Sequence, residues 1–253
     1  MLKIFNLPID DISLDQTLKK IDELVNSQGQ QLIVTANPEI LLYAKKHHDY
    51  FDILNQASLR VPDGFGIKFI SYIIGKPLYS GLVRGVDLVD QLLQNSNYSF
   101  LITGGSSEVL DKIKQKYTQT NINYLVGPFF NDNDQFPLSS NDNDRLINEI
   151  NKHQPQVLLV GFGAPKQEKW ISYYLKQIPS VKVAIGVGGS FDYLSGQVSR
   201  APKNIQKLGL EWLWRVIKQP KRIFRIINAV IIFPLLAILN EMANTPTRKT
   251  GQG

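Results

Sequence analysis

The chain has 253 residues, 43% of them hydrophobic and 20% charged, an ordinary globular composition with length for one large or two small domains and a substantial core. It has no cysteine and only three histidines, His47, His48 and His153, which excludes disulfides, zinc-thiolate sites, iron–sulfur clusters and thiol nucleophiles and leaves a Ser-His-Asp triad poorly supplied. The formal charge of +6 is unevenly placed, with 18 basic and 20 acidic side chains in residues 1–199 but 10 and 2 in residues 200–253, which argues against a nucleic-acid partner and places an anionic one at one end of the chain.

The start, Met1-Leu2-Lys3-Ile4-Phe5-Asn6, has no apolar core or small-residue cleavage site, so no secretory signal is expected and function on the cytoplasmic side follows. Ile12, Leu14, Leu18, Ile21, Leu24 and Val25 recur at helical spacing behind Ser13, which predicts a helix capped by that serine. Short apolar runs then follow at 32–34, 59–61, 98–102, 122–126, 157–160 and 181–185. Between them the spacing predicts helices over about 64–75, 85–95, 106–119, 142–153 and 165–178. Strand–helix alternation with continuously apolar strands predicts an α/β domain over residues 1–199, a Rossmann-like, mainly parallel sheet with helices on both faces.

Ligands bind such sheets where strands end and turn into helices. Small or polar residues occupy those places: Thr35-Ala36-Asn37-Pro38-Glu39, Pro62-Asp63-Gly64, Thr103-Gly104-Gly105-Ser106-Ser107, Gly161-Phe162-Gly163-Ala164-Pro165-Lys166-Gln167-Glu168 and Gly186-Val187-Gly188-Gly189-Ser190-Phe191-Asp192. The three glycine-rich turns carry candidate ligand-binding residues Gly104, Gly105, Gly161, Gly163, Gly188, Gly189 and Asp192, because free N–H groups at a helix start face an anion. Each turn alone is as readily a tight strand–helix connection, whereas three together favour a nucleotide or phosphorylated ligand. None has the dinucleotide fingerprint or the Gly-Lys-Ser/Thr step of a Walker A loop.

Asp63 is either a turn or helix-capping residue or a general base that accepts a proton from a sugar hydroxyl. Asn37 before Pro38 is similarly either a ligand contact or a helix cap, and Thr35 offers a short donor beside it. The pairs Asp132-Asn133-Asp134 and Asp142-Asn143-Asp144 sit among Asn, Ser and Pro and read as a solvated loop with helix caps, so no metal and no cofactor is assigned.

From Arg200 the character changes. Trp212, Trp214 and Phe224 mix with Lys207, Arg215, Lys218, Lys221, Arg222 and Arg225, with Pro220 as a helix breaker, and an apolar run from Ile226 to Leu239 follows. That run, interrupted by Asn228 and Pro234, is shorter than the ~20 residues of a membrane span, which points to an interfacial helix. Residues 200–240 are therefore expected to form a helical membrane-associating appendage, and 241–253 a disordered tail.

The five strand-end and turn motifs, with Arg84-Gly85-Val86-Asp87-Leu88, Lys169-Trp170, Arg200-Ala201-Pro202, Leu208-Gly209-Leu210-Glu211-Trp212 and the basic stretch from Arg215 to Arg225, resemble the WecG/TagA/CpsF family of bacterial glycosyltransferases over nearly the whole chain to about residue 230. The resemblance implies an inverting, membrane-associated enzyme. It would move N-acetylmannosamine or a relative from a UDP-sugar donor to a polyprenyl-diphosphate-linked GlcNAc acceptor, in teichoic acid or other cell-surface polysaccharide synthesis. It also implies Asp63 as catalytic base, with Thr35, Asn37 and Gln167 lining the pocket. Arg215, Arg222 and Arg225 would then meet the acceptor diphosphate at an anionic membrane surface, the enzyme being peripheral to its cytoplasmic face. The chain departs from the family at Leu82, where an arginine is common, which makes Arg84 the candidate substitute. Two other readings stand beside this one, a nucleotide-binding oxidoreductase or epimerase acting on nucleotide sugars and a non-catalytic membrane-surface adaptor. An oligomer is compatible with all three.

Overall fold

In a computed structural model, which describes residues 1–95, 97–128, 130, 136, 138, 141–202, 204–205, 211–218 and 223–244, with the side chains of 95, 211, 212, 215, 218 and 244 excepted, the chain opens with a hairpin. Leu2–Ile4 (β1) pairs antiparallel with Leu7–Ile9 (β2). Phe5 and Asn6 turn the chain with φ of 51° and 67°, the twist that suits a two-residue hairpin loop. The next helix, Leu14–Val25 (α1), starts as its sequence predicts. The Ser13 hydroxyl accepts from Gln16 N–H while the Gln16 side chain accepts from Ser13 N–H, a reciprocal cap that satisfies two otherwise orphaned donors.

Among the described residues six strands make the main sheet: Gln31–Ala36 (β3), Leu59–Pro62 (β4), Phe100–Thr103 (β5), Ile122–Leu125 (β6), Val157–Val160 (β7) and Val183–Gly186 (β8). They run in the order β4-β3-β8-β7-β5-β6, and every pairing is parallel. The connecting helices are Pro38–Lys46 (α2), His48–Gln56 (α3), Phe65–Ile73 (α4), Gly85–Asn95 (α5), Ser107–Lys116 (α6), Asn141–His153 (α7), Lys166–Tyr174 (α8) and Ser190–Leu194 (α9). The fold is α/β and Rossmann-like.

Alternation along each strand divides the core. Ile33, Val61, Ile102, Leu159 and Ile185 meet α1, α5, α6 and α9 through Ile21, Leu92, Ile113 and Phe191. On the opposite face, Val34 and Ala36 lie under α2, α3 and α4, while Leu101, Leu158 and Ala184 lie under α7 and α8 with the buried Trp170. Burying each large apolar side chain contributes about 1.5–3 kcal/mol, so both layers are needed to fix the strand ends.

After Glu211–Lys218 (α10), Ile223–Ile227 (α11) runs through a π-helical segment, Asn228–Ile232, into Phe233–Asn244 (α12). The apolar run is therefore longer than its sequence suggested: Ile223–Ala243 is a single helical stretch of 21 residues, long and apolar enough to cross a membrane by length and composition. Pro234 does not stop it. The backbone widens just before the proline, with Phe233 N–H reaching back to Asn228 O, which absorbs the ring's clash with the preceding turn. Phe233 and Ala237 enter the core beside the hairpin, where Phe233 meets Phe5 edge-on at 5.9 Å. Lys207, Pro220, Lys221, Arg222 and the tail from 245 lie outside the described residues.

Candidate active site

Because all six strands are parallel, their carboxyl ends share one edge, and the strand order sets the motifs in a row. Asp63 follows β4, Thr35 and Asn37 follow β3, the glycine turn 186–189 follows β8, the turn 161–163 follows β7 and Gly104-Gly105 follows β5. Neighbouring β5 and β7 send the chain opposite ways, to β6 and to β8, which opens a crevice of the kind that holds ligands in this fold class.

Asp63 sits at the head of that row, half-buried. Its backbone N–H donates to Ala36 O at 2.7 Å, locking the β4 exit to β3, and Val83 N–H donates to Pro62 O at 2.9 Å. The residue that caps α4 is Gly64, with φ 94° and no side-chain hydrogen bond. The Asp63 carboxylate instead faces the start of α5, where Gly85 N–H donates to Oδ2 at 3.4 Å. Gly85 borders three motifs at once: a Cβ there would stand 3.3 Å from Ser190 Oγ, 3.5 Å from Thr35 Cγ2 and 3.6 Å from Asp63 Oδ2. The ends of β3, β4 and β8 thus meet around Gly85, at the start of α5.

Thr35 is buried and donates from Oγ1 to Gly186 O at 3.1 Å, joining the β3 and β8 exits. Asn37 is the helix cap of α2, its Oδ1 accepting from Ile40 N–H at 3.0 Å. Ser190, marked in the sequence only by its place in the glycine turn, donates to Val187 O at 2.7 Å and borders Gly85.

The glycines fall into two groups. At Gly104 a Cβ would lie 2.7 Å from the Gly161 carbonyl carbon, and at Gly161 it would lie 2.7 Å from the Phe191 ring, so these two let the turns stack on one another. Gly163 and Gly188 have φ of 80° and 51° with open space where a Cβ would stand, which leaves their backbone approachable by a ligand. Gly105 has φ 90° and borders Val109, and Gly189 borders Asp192 in the first turn of α9.

Gln167 ties the two approachable turns. Its Oε1 accepts from Gly163 N–H at 3.2 Å and from Gly188 N–H at 2.9 Å, and its Nε2 donates to Glu168 Oε1 at 2.7 Å. The structure places Gln167 beneath the turns, buried. Glu168 is wholly buried and also accepts from Tyr50 Oη at 2.9 Å. Burial pushes the Glu168 carboxyl above its ordinary range against the pull of both donors, and the Tyr50 phenol is pushed up by its own burial and by the neighbouring carboxylate. Glu168 belongs to the strand-end motif 161–168, but its partner Tyr50 lies 118 positions away and left no local signal.

Arg84 lies 3.8 Å from Asp87, which also receives Arg200 at 2.6 Å, so two motifs 113 positions apart meet at the first turn of α5. Arg225 is held by Glu39 of the Thr35–Glu39 motif through contacts of 2.6 and 2.8 Å, which brings one arginine of the basic segment to the start of α2. Arg215 lies on α10 with its side chain outside the described atoms, and Arg222 lies outside the described residues. Asp142 and Asp144 occupy the first turn of α7, where acidic side chains favour the helix dipole, and Asp132 and Asp134 lie outside the described residues. Among the described residues no three acidic or histidine side chains gather as metal ligands.

Residues 2–247 match the model of the glycosyl transferase WecG/TagA/CpsF family. The chain belongs to that family. Among relatives of this WecG/TagA/CpsF glycosyltransferase is an N-acetylglucosaminyldiphosphoundecaprenol N-acetyl-beta-D-mannosaminyltransferase of Staphylococcus aureus strain MW2, 32% identical over 233 residues that cover 88% of this chain and 87% of that one. The protein of the same description from strain MRSA252 is 33% identical over the same shares. The row of strand-end motifs is thus the candidate centre of a glycosyltransferase.

Proposed function

We propose that this glycosyltransferase moves N-acetylmannosamine from UDP to the GlcNAc of a polyprenyl-diphosphate acceptor, in one inverting displacement that requires no metal. The product would serve teichoic acid or a related cell-surface polysaccharide. Two things support the reading: the reaction named for the S. aureus relatives, and above all the Asp63 carboxylate facing Gly85 at the head of the strand-end row, where Thr35 and Ser190 also border that glycine.

Asp63 takes the proton of the attacking GlcNAc hydroxyl as its oxygen bonds to the anomeric carbon of the donor. The bond from that carbon to the UDP oxygen breaks, and UDP leaves with the electron pair. The open backbone of the Gly163 and Gly188 turns, whose own N–H groups are held by Gln167, lies against the donor, with Gly104, Gly105, Gly161, Gly189 and Asp192 around it. Thr35, Asn37 and Arg84 line the pocket, and Gln167 acts through the two turns it joins. Arg215, Arg222 and Arg225, the last exchanging its Glu39 contact for the lipid anion, neutralise the acceptor diphosphate by forked hydrogen bonds. Residues 1–199 are the catalytic body, and 200–240 seat it on the cytoplasmic face of the membrane.

The test is a screen of UDP-sugars against a short-chain GlcNAc-diphosphate lipid with the full chain, the product's anomeric configuration being read by NMR. Transfer from UDP-N-acetylmannosamine with inversion is expected. NAD(P) binding without UDP binding in a calorimetric titration would instead support an oxidoreductase and overturn the proposal.

A further inference from the structure

The helix that follows Asp63 carries an apolar stripe that neither the fold nor the proposed chemistry uses. On α4, Phe65, Phe69, Tyr72 and Ile73 are exposed at i, i+4, i+7 and i+8, while Ile67, Ile70 and Ser71 face the core. This spacing sets the four on one side of the helix. The helical stretch from Ile223 has a stripe of its own, with Phe224, Ile227, Ile231, Leu235, Leu239 and Met242 exposed opposite the buried Phe233 and Ala237.

The two stripes adjoin. Gly66 is where the helices meet: a Cβ there would stand 3.1 Å from Ala229 O and 3.5 Å from the Phe233 ring. At about 100° per residue, Phe69 and Ile73 fall between Phe65 and Gly66 around α4, so the exposed arc runs up to the seam. Both helices bury their inner sides in one core layer, and their outer sides lie away from it. Ten large apolar side chains therefore share a single outward surface, more than scattered surface hydrophobics explain.

Charge indicates what covers it. The two carboxylates at its rim are already engaged, Glu39 by Arg225 and Glu241 by Lys76. Lys68 lies on α4 itself, and Lys218, Lys221 and Arg222 precede the second stripe in the chain, with no acidic residue among 212–240. A two-fold pairing of copies through this face would bring two such basic flanks to one interface, whereas an anionic bilayer meets them with opposite charge.

We infer that α4 and the C-terminal helix form one two-helix surface that lies on an anionic lipid bilayer, with α4 as a direct lipid contact. The inference rests on the lipid-linked acceptor proposed above. Phe65 is two residues from Asp63, so seating α4 in the headgroup region holds the carboxylate at the height of a lipid-borne diphosphate sugar. The C-terminal helix lies along the body, its inner side retained by Phe233 and Ala237.

The experiment pairs the full chain with its Phe69→Ser/Ile73→Ser variant in co-sedimentation with vesicles of phosphatidylglycerol and phosphatidylcholine. Binding should weaken about tenfold or more, in line with the apolar area withdrawn from lipid. Transfer to a long-chain acceptor in vesicles should fall in parallel, while turnover on a short-chain, water-soluble acceptor stays within about twofold. Val126→Ser, an exposed apolar site elsewhere, should change neither. Since the chain has no cysteine, Tyr72→Cys carrying an environment-sensitive fluorophore gives a second reading, a blue shift on adding vesicles without any loss of apolar packing. Unchanged vesicle binding with no blue shift would overturn the inference, as would a solution dimer that the double substitution dissociates. Vesicle binding and the blue shift without transfer to any lipid-linked acceptor would overturn the proposed reaction and leave the surface standing.

Discussion

Asp63 meets a backbone donor from a different element, at Gly85. With no Cβ at 85, the start of α5 approaches Asp63, Thr35 and Ser190 together, and its N–H is directed at the carboxylate. The other glycines divide by the same test, and the division is measurable. Gly104→Ala would set a Cβ 2.7 Å from Gly161 backbone at φ 101°, so it should lose about 2–5 kcal/mol in a urea titration. Gly163→Ala meets nothing within 4 Å and should lose only the ~1–2 kcal/mol of its φ, with weaker donor binding as the larger effect. At Glu168 the sign of a pH dependence follows from burial. The folded chain holds the Glu168 proton to higher pH than the unfolded chain does, so this group's contribution to stability is fully present below the ordinary carboxylate range and is lost as pH rises through the raised value. Thermal melts should show the parent losing ground to Glu168→Gln as pH climbs through that window; a parent that gains ground would mean that the two donors outweigh burial.

At the scale of elements, legibility followed periodicity. The six sheet strands and helices α1 and α4 to α8 rise from apolar spacing long enough to read, and Ser13 with Gln16 marks the start of α1 outright. The hairpin escaped notice because its strands have three residues each and its turn, Phe5-Asn6, contains no glycine. Helices α2 and α3 were missed because His47 ends one and precedes the other at φ −131°, which splits the pattern into two short pieces. The C-terminal helix was read too short, since the π segment that accommodates Pro234 has no sequence signature of its own. Its inner side is structural: Phe233→Ala should cost about 3–5 kcal/mol and lower the melting temperature, whereas an exposed neighbour such as Leu235 replaced by serine should leave it nearly unchanged. Between elements, Asp87 joins α5 to the segment after α9 through Arg200. A double-mutant cycle on this half-exposed pair should give a coupling of about 1 kcal/mol, and an additive cycle would leave the contact without energetic weight.

Over the whole molecule, the sequence named the strand ends but not their neighbours. The order β4-β3-β8-β7-β5-β6 depends on pairings far apart in the chain, so the meeting of Asp63, Thr35 and Ser190 around Gly85 and the Tyr50–Glu168 contact emerge only once the sheet is assembled. Charge was legible at this scale from the start, because the excess of residues 200–253 leads into the helix whose outer side carries the lipid-facing stripe. If the glycine turns hold the donor without a metal, a chelator should leave turnover largely intact; complete loss restored by manganese would assign the acidic pairs a metal after all. The most direct measurement is turnover of the full-length Asp63→Asn variant on UDP-N-acetylmannosamine and a short-chain GlcNAc-diphosphate lipid, alongside its melting temperature and donor affinity. A general base at Asp63 predicts that turnover falls by about 10²–10⁴-fold while fold and donor binding persist; near-parental turnover would contradict it.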